Sequence, residues 1–459
     1  MSPERVRLTV EAGSPLAEVF VIDHAFALVK RSIGDLECEV EPGVYKVKAK
    51  LGDATFERLV LLEADETLDV ANDLRSGTAV PLGGTKRGRA AGVGDAVQAS
   101  RHVGSKSGDG AQIFVMTQGL AGDGEEGPVS APEASLHRPD GTRVGELRPL
   151  AGEGARGTTI EVDPGPYLLC RSGSEGDTLE QFIHAVAGWQ TQVFAVEEPG
   201  PSLDLWRTRV SVLMAREGFD PDDDELRLVE EARTALADER NVASERLGEL
   251  FEASSNPMLG LFGAHLMLLA RDEQRRTSER SSPEASPAAP VRFDQDRFDR
   301  IVDALRDVLG AGHPDAVALA TQRTGQSLEA LEPVAAPPML WRSWVLLVEA
   351  SNDAPQLVPV STWERTLHVL PLRPFFIWQA AEDVPRARAS WVDSVTRTLE
   401  ASARTPGRPG GAAALSLETD AEAAEPEPPR AGDAERSHLS RQLLVPRAAI
   451  DRLADGEGL

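Results

Sequence analysis

The chain is poor in the residues that most readily announce a chemistry. Its 459 residues contain two cysteines and two tyrosines. Cys38 and Cys170 are too few for a disulfide scaffold. Basic residues are outnumbered, with 48 Lys and Arg against 74 Asp and Glu and a formal charge of −26. That charge opposes contact with DNA, RNA or an anionic membrane surface, and no stripe of Lys and Arg interleaved with aromatics offsets it. Long apolar runs are missing too. Residues 258–270 are broken by glycines and a histidine and fall short of the roughly 20 residues that span a bilayer. The opening MSPERVRLTV has no secretory apolar stretch. These absences predict a cytoplasmic protein that engages neither nucleic acid nor membrane.

Motifs of catalysis are absent in the same way. GGTKRGRAAGVG lacks the spacing of a phosphate-binding loop and follows no strand. GSKSG puts Lys106 where a nucleophile elbow needs serine. Asp220, Asp222, Asp224 and Glu231 have calcium-loop spacing, but Glu225 stands where the sharp turn needs glycine. His265 lies alone on an apolar helix with no second ligand one turn away. Cys38 alternates with Leu36 and Val40 and reads as an inert core thiol. A hairpin over 167–187 would hold His184 away from Cys170. No catalytic, cofactor-binding or metal-binding residue is therefore expected, and no cofactor.

What the chain does have is a phrase used twice, EVEPGVYKVKAK from Glu39 and EVDPGPYLLCRS from Glu161, each containing one of the two tyrosines. In the first copy Leu36, Cys38 and Val40 alternate with glutamates, and Tyr45, Val47 and Ala49 alternate with lysines. Period two predicts strands with one apolar face. Pro42-Gly43 suits a tight turn. That turn could close a hairpin, setting Glu39 against Lys46 and Glu37 against Lys48, or carry the chain between two sheets with the tyrosine as anchor. The second copy repeats the inward set with Ile160, Val162, Tyr167 and Leu169. Strand-like runs flank both, at 7–10, 18–22, 27–30, 57–62 and 67–70, and at 112–117, 134–137, 145–147, 180–186 and 191–196.

These segments resemble the PEGA and carboxypeptidase-regulatory-like group of small β-sandwiches. That resemblance implies non-catalytic spacers or binding modules.

Past residue 200 the period lengthens to that of helices. Leu226, Val229, Ala232 and Leu236 form a stripe behind Asp-rich 222–224. Asn256-Pro257 starts a helix apolar nearly all round, in which Gly260 and Ala264 could admit a neighbour. Residues 293–309 form an amphipathic helix. LGAGHPDAVALA resembles the inter-helix turn of kinesin-light-chain-type tetratricopeptide repeats but occurs once. Residues 339–350 read as a buried helix, and 363–370 and 374–381 as shorter elements of unassigned type.

The expected architecture is multidomain β + α: two tandem antiparallel β-sandwich domains followed by an α-helical domain with disordered linkers. The divisions are a β-sandwich at 1–80, a linker at 81–104, a second β-sandwich at 105–200, helices at 201–270, a linker at 271–292, helices at 293–403, a linker at 404–436 and a docking helix at 437–459. Arg271, Arg275, Arg276 and Arg280 lie in the first helical-domain linker, where a protease would find an extended substrate.

This organisation points to a non-enzymatic interaction or adaptor protein. The layout, with phrases such as LWRTRVSVLMAREGFDPDD, resembles uncharacterised bacterial proteins that accompany caspase-like peptidases. It implies a partner, regulator or target of such a protease. Two other classes stand beside this reading, a carbohydrate-binding sandwich and an enzyme whose site is assembled from distant residues.

Overall fold

The computed structural model describes residues 5–74, 79–80, 82, 86–101, 110–120, 131–151, 154–172, 178–197, 208–242, 244–280, 293–366, 369–370, 372–380 and 433–454. The protein is a multidomain β plus α structure with sheets and helices in separate layers.

The first sandwich comprises β1 (Val6–Glu11), β2 (Glu18–Ile22), β3 (Leu28–Ile33), β4 (Leu36–Val40), β5 (Gly43–Leu51), β6 (Ala54–Leu62) and β7 (Glu66–Asp69). One sheet has the order β4-β1-β7 and the other β3-β2-β5-β6. Alternation does what the sequence requires: Leu8, Val10, Leu36 and Val40 are buried between the sheets with Val19, Val21, Val47 and Ala49.

The repeated phrase is a sheet crossing. β4 pairs with β1, whereas β5 pairs with β2 and β6, so the Pro42 turn transfers the chain from one sheet to the other. The hairpin alternative, with Glu39 against Lys46 and Glu37 against Lys48, is not formed; both lysines bind Glu57 across the β5–β6 pair instead. The Tyr45 hydroxyl donates to the Glu41 carbonyl at 2.8 Å, tying the bend to the residue four places earlier.

The second sandwich repeats the device. It uses β8 (Ala111–Gly119), β9 (Glu133–His137), β10 (Arg143–Glu146), β11 (Arg148–Pro149), β12 (Ala155–Val162), β13 (Gly165–Ser172), β14 (Thr178–Ala185), β15 (Gln190–Glu197) and β16 (Thr208–Ala215). β12 lies in the sheet β11-β12-β8-β15-β16 and β13 in the opposite one. Tyr167 donates to the Asp163 carbonyl at 2.9 Å, again four residues back, and is buried.

Neither sandwich is purely antiparallel. β1 pairs parallel to β7, and β15 pairs parallel to β8.

Helices α1 (Ala71–Leu74) and α2 (Lys86–Ser100) join the sandwiches. The helical half contains α3 (Asp224–Ala237), α4 (Glu245–Ala253), α5 (Pro257–Arg280), α6 (Gln295–Leu309), α7 (Pro314–Ala320), α8 (Trp341–Ala350) and α9 (Val360–Glu364), with α10 (Asp433–Leu443) and α11 (Arg447–Ala454) at the end. Side-chain caps begin several of them: Asp223 accepts from the Glu225 amide at 2.7 Å, Ser244 from Leu247 at 3.1 Å and Asp294 from Arg297 at 3.0 Å. The close approach expected at Gly260 occurs, with Leu305 of α6 filling the space a side chain would need.

Four boundaries depart from the sequence reading. The expected linker 81–104 contains α2, whose Ala96 and Ser100 are buried and whose Val93 and Val97 pack on the core at helical spacing. Its glycines concealed the helix, yet Gly92 is what lets α2 sit against the Gln118 side chain. Strand β16 falls in the block expected to be helical from 201; nearly every residue is buried, so no alternation marks it. Residues of the expected helical block 293–403 return to the second sandwich as β17 (Val369–Leu370) and β18 (Ile377–Gln379), extending its sheet to β10-β9-β13-β14-β18-β17. Finally, α5 runs on through Arg280, so Arg271, Arg275, Arg276 and Arg280 are helical. The remaining 281–292 lies outside the described residues, as does 404–432 of the second expected linker.

The terminal segment docks as expected but as two helices. The Trp344 indole donates to the Leu444 carbonyl at 3.2 Å, and the Arg447 amide to the Ser351 hydroxyl at 3.0 Å.

The corner geometry yields a graded prediction. Tyr167→Phe removes one hydrogen bond and should lower stability by about 0.5–1.5 kcal/mol. Tyr167→Ala also empties a buried ring site and should cost roughly 3–5 kcal/mol. Tyr45 is only partly buried, so its Ala variant should fall below its counterpart. Urea unfolding of the intact chain, followed by far-UV circular dichroism because the first sandwich has no tryptophan, measures the order.

Candidate functional site

Two places gather side chains in ways the fold alone does not require. One is the outer face of the β3-β2-β5-β6 sheet. The register aligns Leu28 with Ile22, Ile22 with Lys46, and Lys46 with Leu59, forming a row across all four strands. Val44 and Leu61 form the neighbouring pair. The next row sets three charged residues, Arg31, Lys48 and Glu57, around Phe20. There Glu57 receives Lys46 at 2.6 Å and Lys48 at 3.0 Å, which holds its carboxyl below the usual range. Arg31 pairs with Glu18 at 2.6 Å and covers the Phe20 ring.

The β2–β3 turn adds an aromatic at the same end of the sheet. Asp23 accepts from the amides of Ala25 at 2.8 Å and Ala27 at 2.9 Å, and its carbonyl accepts from the Phe26 amide at 3.0 Å. This tight loop holds Phe26 at φ +61° with 85% of its surface exposed. The left-handed conformation costs a non-glycine residue roughly 1–2 kcal/mol. Among the described residues, six of the seven large apolar residues that are strongly exposed, Phe26, Leu28, Val29, Val44, Leu59 and Leu61, belong to this one sheet and its turn. Exposed apolar residues scattered singly need no explanation, whereas a contiguous group does.

The other gathering is internal. His184 of β14 and His313, which caps α7, bring their rings to 3.8 Å between centroids, both buried. His313 Nδ1 accepts from the Asp315 amide at 3.2 Å. The buried Asp315 carboxylate accepts from the amides of Met339 at 2.8 Å and Leu340 at 3.0 Å, and it also bonds the Ser343 hydroxyl. Ser343 Oγ in turn lies 2.9 Å from His265 Nε2. The chain His184, His313, Asp315, Ser343 and His265 thus links the second sandwich to α5, α7 and α8.

Burial controls its electrostatics. Desolvation pushes His184 and His265 down to about 3 and His313 well below its ordinary value, helped there by His184. Burial lifts Asp315 to about 6 against its amide hydrogen bonds. The imidazoles are therefore neutral at neutral pH. The group has catalytic residue types, but every ring is buried, and His265 Nδ1 and His313 Nε2 have no hydrogen-bond partner among the described residues. It acts as a joint.

A cleft of about 1200 Å³ opens beside the end of α2. Part of its polar lining is committed internally: Gln190 donates to the Ser100 carbonyl and to Gln112, and accepts from Gln192. Arg216 covers the Trp189 ring at 4.2 Å. Arg101 and Gly110, which both line the cleft, flank residues outside the described set.

The residues singled out from sequence stay apart. Cys38 and Cys170 are free thiols in different sandwiches. Burial raises both, Cys170 to about 12 with Glu180 adding to the effect, so neither is a ready nucleophile. Arg271 donates to Gln322 at 2.8 Å and stacks over Phe293, and Arg276 pairs with Glu273. A protease would have to unwind α5 to reach them. Among the described residues no group of three or more His, Cys, Asp or Glu could hold a metal ion, and no helix is long and apolar enough to cross a membrane.

No protein-family profile and no curated protein matches the chain. Among solved structures it is similar to the Bacillus anthracis TIE protein, at 12% identity and a TM-score of 0.14, over 38% of this chain and 29% of that one. It is also similar to a candidate cell adhesion protein from Bacteroides eggerthii, at 10% identity and a TM-score of 0.15, over 49% of this chain and 99% of that one. Likeness at this level carries no argument about activity or partners.

The buried joint predicts acid lability. The three histidines have depressed values in the folded state, so the stability they confer is present above about 6.5 and is lost as pH falls below it. Asp315 is raised and acts oppositely, favouring the folded state on acidification. Three histidines against one carboxylate leave an uptake of roughly two protons on unfolding between about pH 6 and pH 4. Thermal unfolding should therefore drop between pH 7.5 and pH 5. His184→Phe, which cannot take up that proton, should show a smaller drop than the unaltered chain.

Proposed function

We propose that the protein is a non-enzymatic interaction protein and that the outer face of its first sandwich is where another protein chain docks. The observation that carries this reading is the apolar group Phe26, Leu28, Val44, Leu59 and Leu61 on one sheet. Charge narrows the partner. Outward side chains of that sheet include Arg31, Lys46, Lys48 and Lys50 against Glu18 and Glu57, a local surplus of two positive charges on a chain of net −26. An apolar surface bordered by carboxylates is its complement.

The two tyrosine-anchored corners support a reading of both sandwiches as modules of the PEGA and carboxypeptidase-regulatory-like kind. The succession of sandwiches and helices is what associates the protein with those that accompany caspase-like peptidases, making such a protease, or a protein beside it, the proposed partner. A role as cleavage target finds no support at Arg271, Arg275 and Arg276, which α5 holds in helix. Two unpaired thiols suit a cytoplasmic setting. For a glycan-binding reading, the described tryptophans offer little: Trp189, Trp344, Trp363 and Trp378 are buried, and Trp341 is half-buried against the core.

Site-specific photo-crosslinking in the native host tests the docking face. A photoreactive residue at Leu59 or Val44 should form a discrete adduct with another chain, and one at Val308, about as exposed as Val44, should not. Leu61→Glu, which changes stability by no more than about 0.5 kcal/mol at so exposed a position, should abolish the Leu59 adduct. Equal adduct yields at Leu59 and Val308 would remove the basis for the proposal.

A further inference from the structure

We infer that the partner is captured as an added β-strand on the free edge of β6, a proposal that rests on the docking-face reading above. β6 is the last strand of its sheet and pairs with β5 in unbroken register from Gly43–Leu62 to Leu51–Ala54. Beyond that ladder, no backbone group of β6 has a partner among the described residues.

The two edges of this sheet are treated differently. β3, at the other edge, carries Lys30 and Arg31, has a register shift opposite Val21–Ile22, and is held by Arg31 donating to the Asn241 carbonyl. Charges, irregularity and cover are the devices by which edges avoid pairing. β6 has nine residues with no proline, lysine or bulge, and of its two charges Glu57 is bound to Lys46 and Lys48 of β5, which leaves Arg58. α1 shields its beginning, where Ala71 lines a recess with Leu51, the pairing partner of Ala54. The segment from Glu57 to Leu62 remains open and bears the exposed Leu59 and Leu61. An edge of that kind accepts an extended peptide: main-chain hydrogen bonds supply affinity and alternate side chains supply selectivity.

The side chains of β6 specify the ligand. Leu59 and Leu61 point to the outer face, so residues placed opposite them should be apolar. Val60 is buried, so the residue opposite it should be small. Arg58 is exposed and makes no ion pair among the described residues, unlike Lys46 and Lys48, which Glu57 occupies. An acid belongs opposite Arg58. Read along an antiparallel strand, the pattern is apolar, small, apolar, acidic.

The probe is a fluorescein-labelled peptide, Gly-Val-Ser-Val-Glu-Thr-Gly, titrated by anisotropy with the intact chain. Two further peptides carry backbone N-methyl groups on alternate residues, one in each frame. An added strand turns one edge toward β6 and the other to water. One methylated frame should thus bind at least about tenfold more weakly than the parent, with the other frame close to it. Arg58→Glu should weaken the parent and favour a peptide with Lys in place of Glu.

If both methylated peptides bind like the parent, the contact is made by side chains alone. Strand addition is then wrong, although the docking face stands. If neither frame binds, or the parent fails to bind while Leu59 still gives its crosslink, strand addition is again overturned and the docking face again stands. Binding of the parent by Leu59→Glu at unchanged affinity would place the peptide elsewhere and overturn the proposal outright.

Discussion

A tyrosine hydroxyl bonded to a carbonyl four residues earlier is the constraint around which both sandwiches are organised. At Tyr45 and at Tyr167 the chain leaves one sheet, turns through Pro-Gly and enters the opposite sheet. A strand that changes sheet gives up the hairpin partner it would otherwise have had, so the bend must be fixed by something other than a ladder. The hydroxyl supplies that fixation and satisfies a carbonyl left over by the turn. Everything on the outer face of the first sandwich follows from this crossing. Because β5 does not fold back on β4, it pairs with β6, and Lys46 and Lys48 meet Glu57 while Leu59 and Leu61 emerge together at the free end.

The parts of the fold that were readable are those with one wet face. Leu36, Cys38 and Val40, or Tyr45, Val47 and Ala49, alternate because every second residue meets water. Where both faces are covered the alternation vanishes, as in β16, which blended into the helical half. α2 was hidden by glycines whose small size is what its packing requires. The apolar outer face left a trace in RLVLL, where apolar residues occupy both parities of a strand; its outer members, Leu59 and Leu61, are exposed. The histidine joint left none. His184, His265 and His313 are far apart in sequence, and each looks like an isolated core histidine until the sheet and helices bring them together.

The two gatherings divide the molecule by role. The internal one spends its polar chemistry on cohesion: Asp315 caps the turn into α8 through two amides, and the histidines fill the seam between sheet and helices. The external one does the opposite, leaving apolar surface in water and holding Phe26 in a strained backbone conformation. Strain and exposed apolar area both lower the stability of an isolated chain, so their concentration at one tip fits a surface used in contact.

The return of β17 and β18 to the second sandwich has a consequence for how the protein is made. β14 cannot acquire its outer neighbour until Ile377–Gln379 has left the ribosome, so its sheet stays open while the whole of α3–α9 is synthesised. Pairings so distant in sequence are slow to close and leave an unfinished edge exposed meanwhile. The first sandwich, whose strands all lie within Val6–Asp69, has no such dependence. The two modules thus share a corner motif but not a timetable: the first can be complete, apolar outer face included, while the second is still waiting for its last strands.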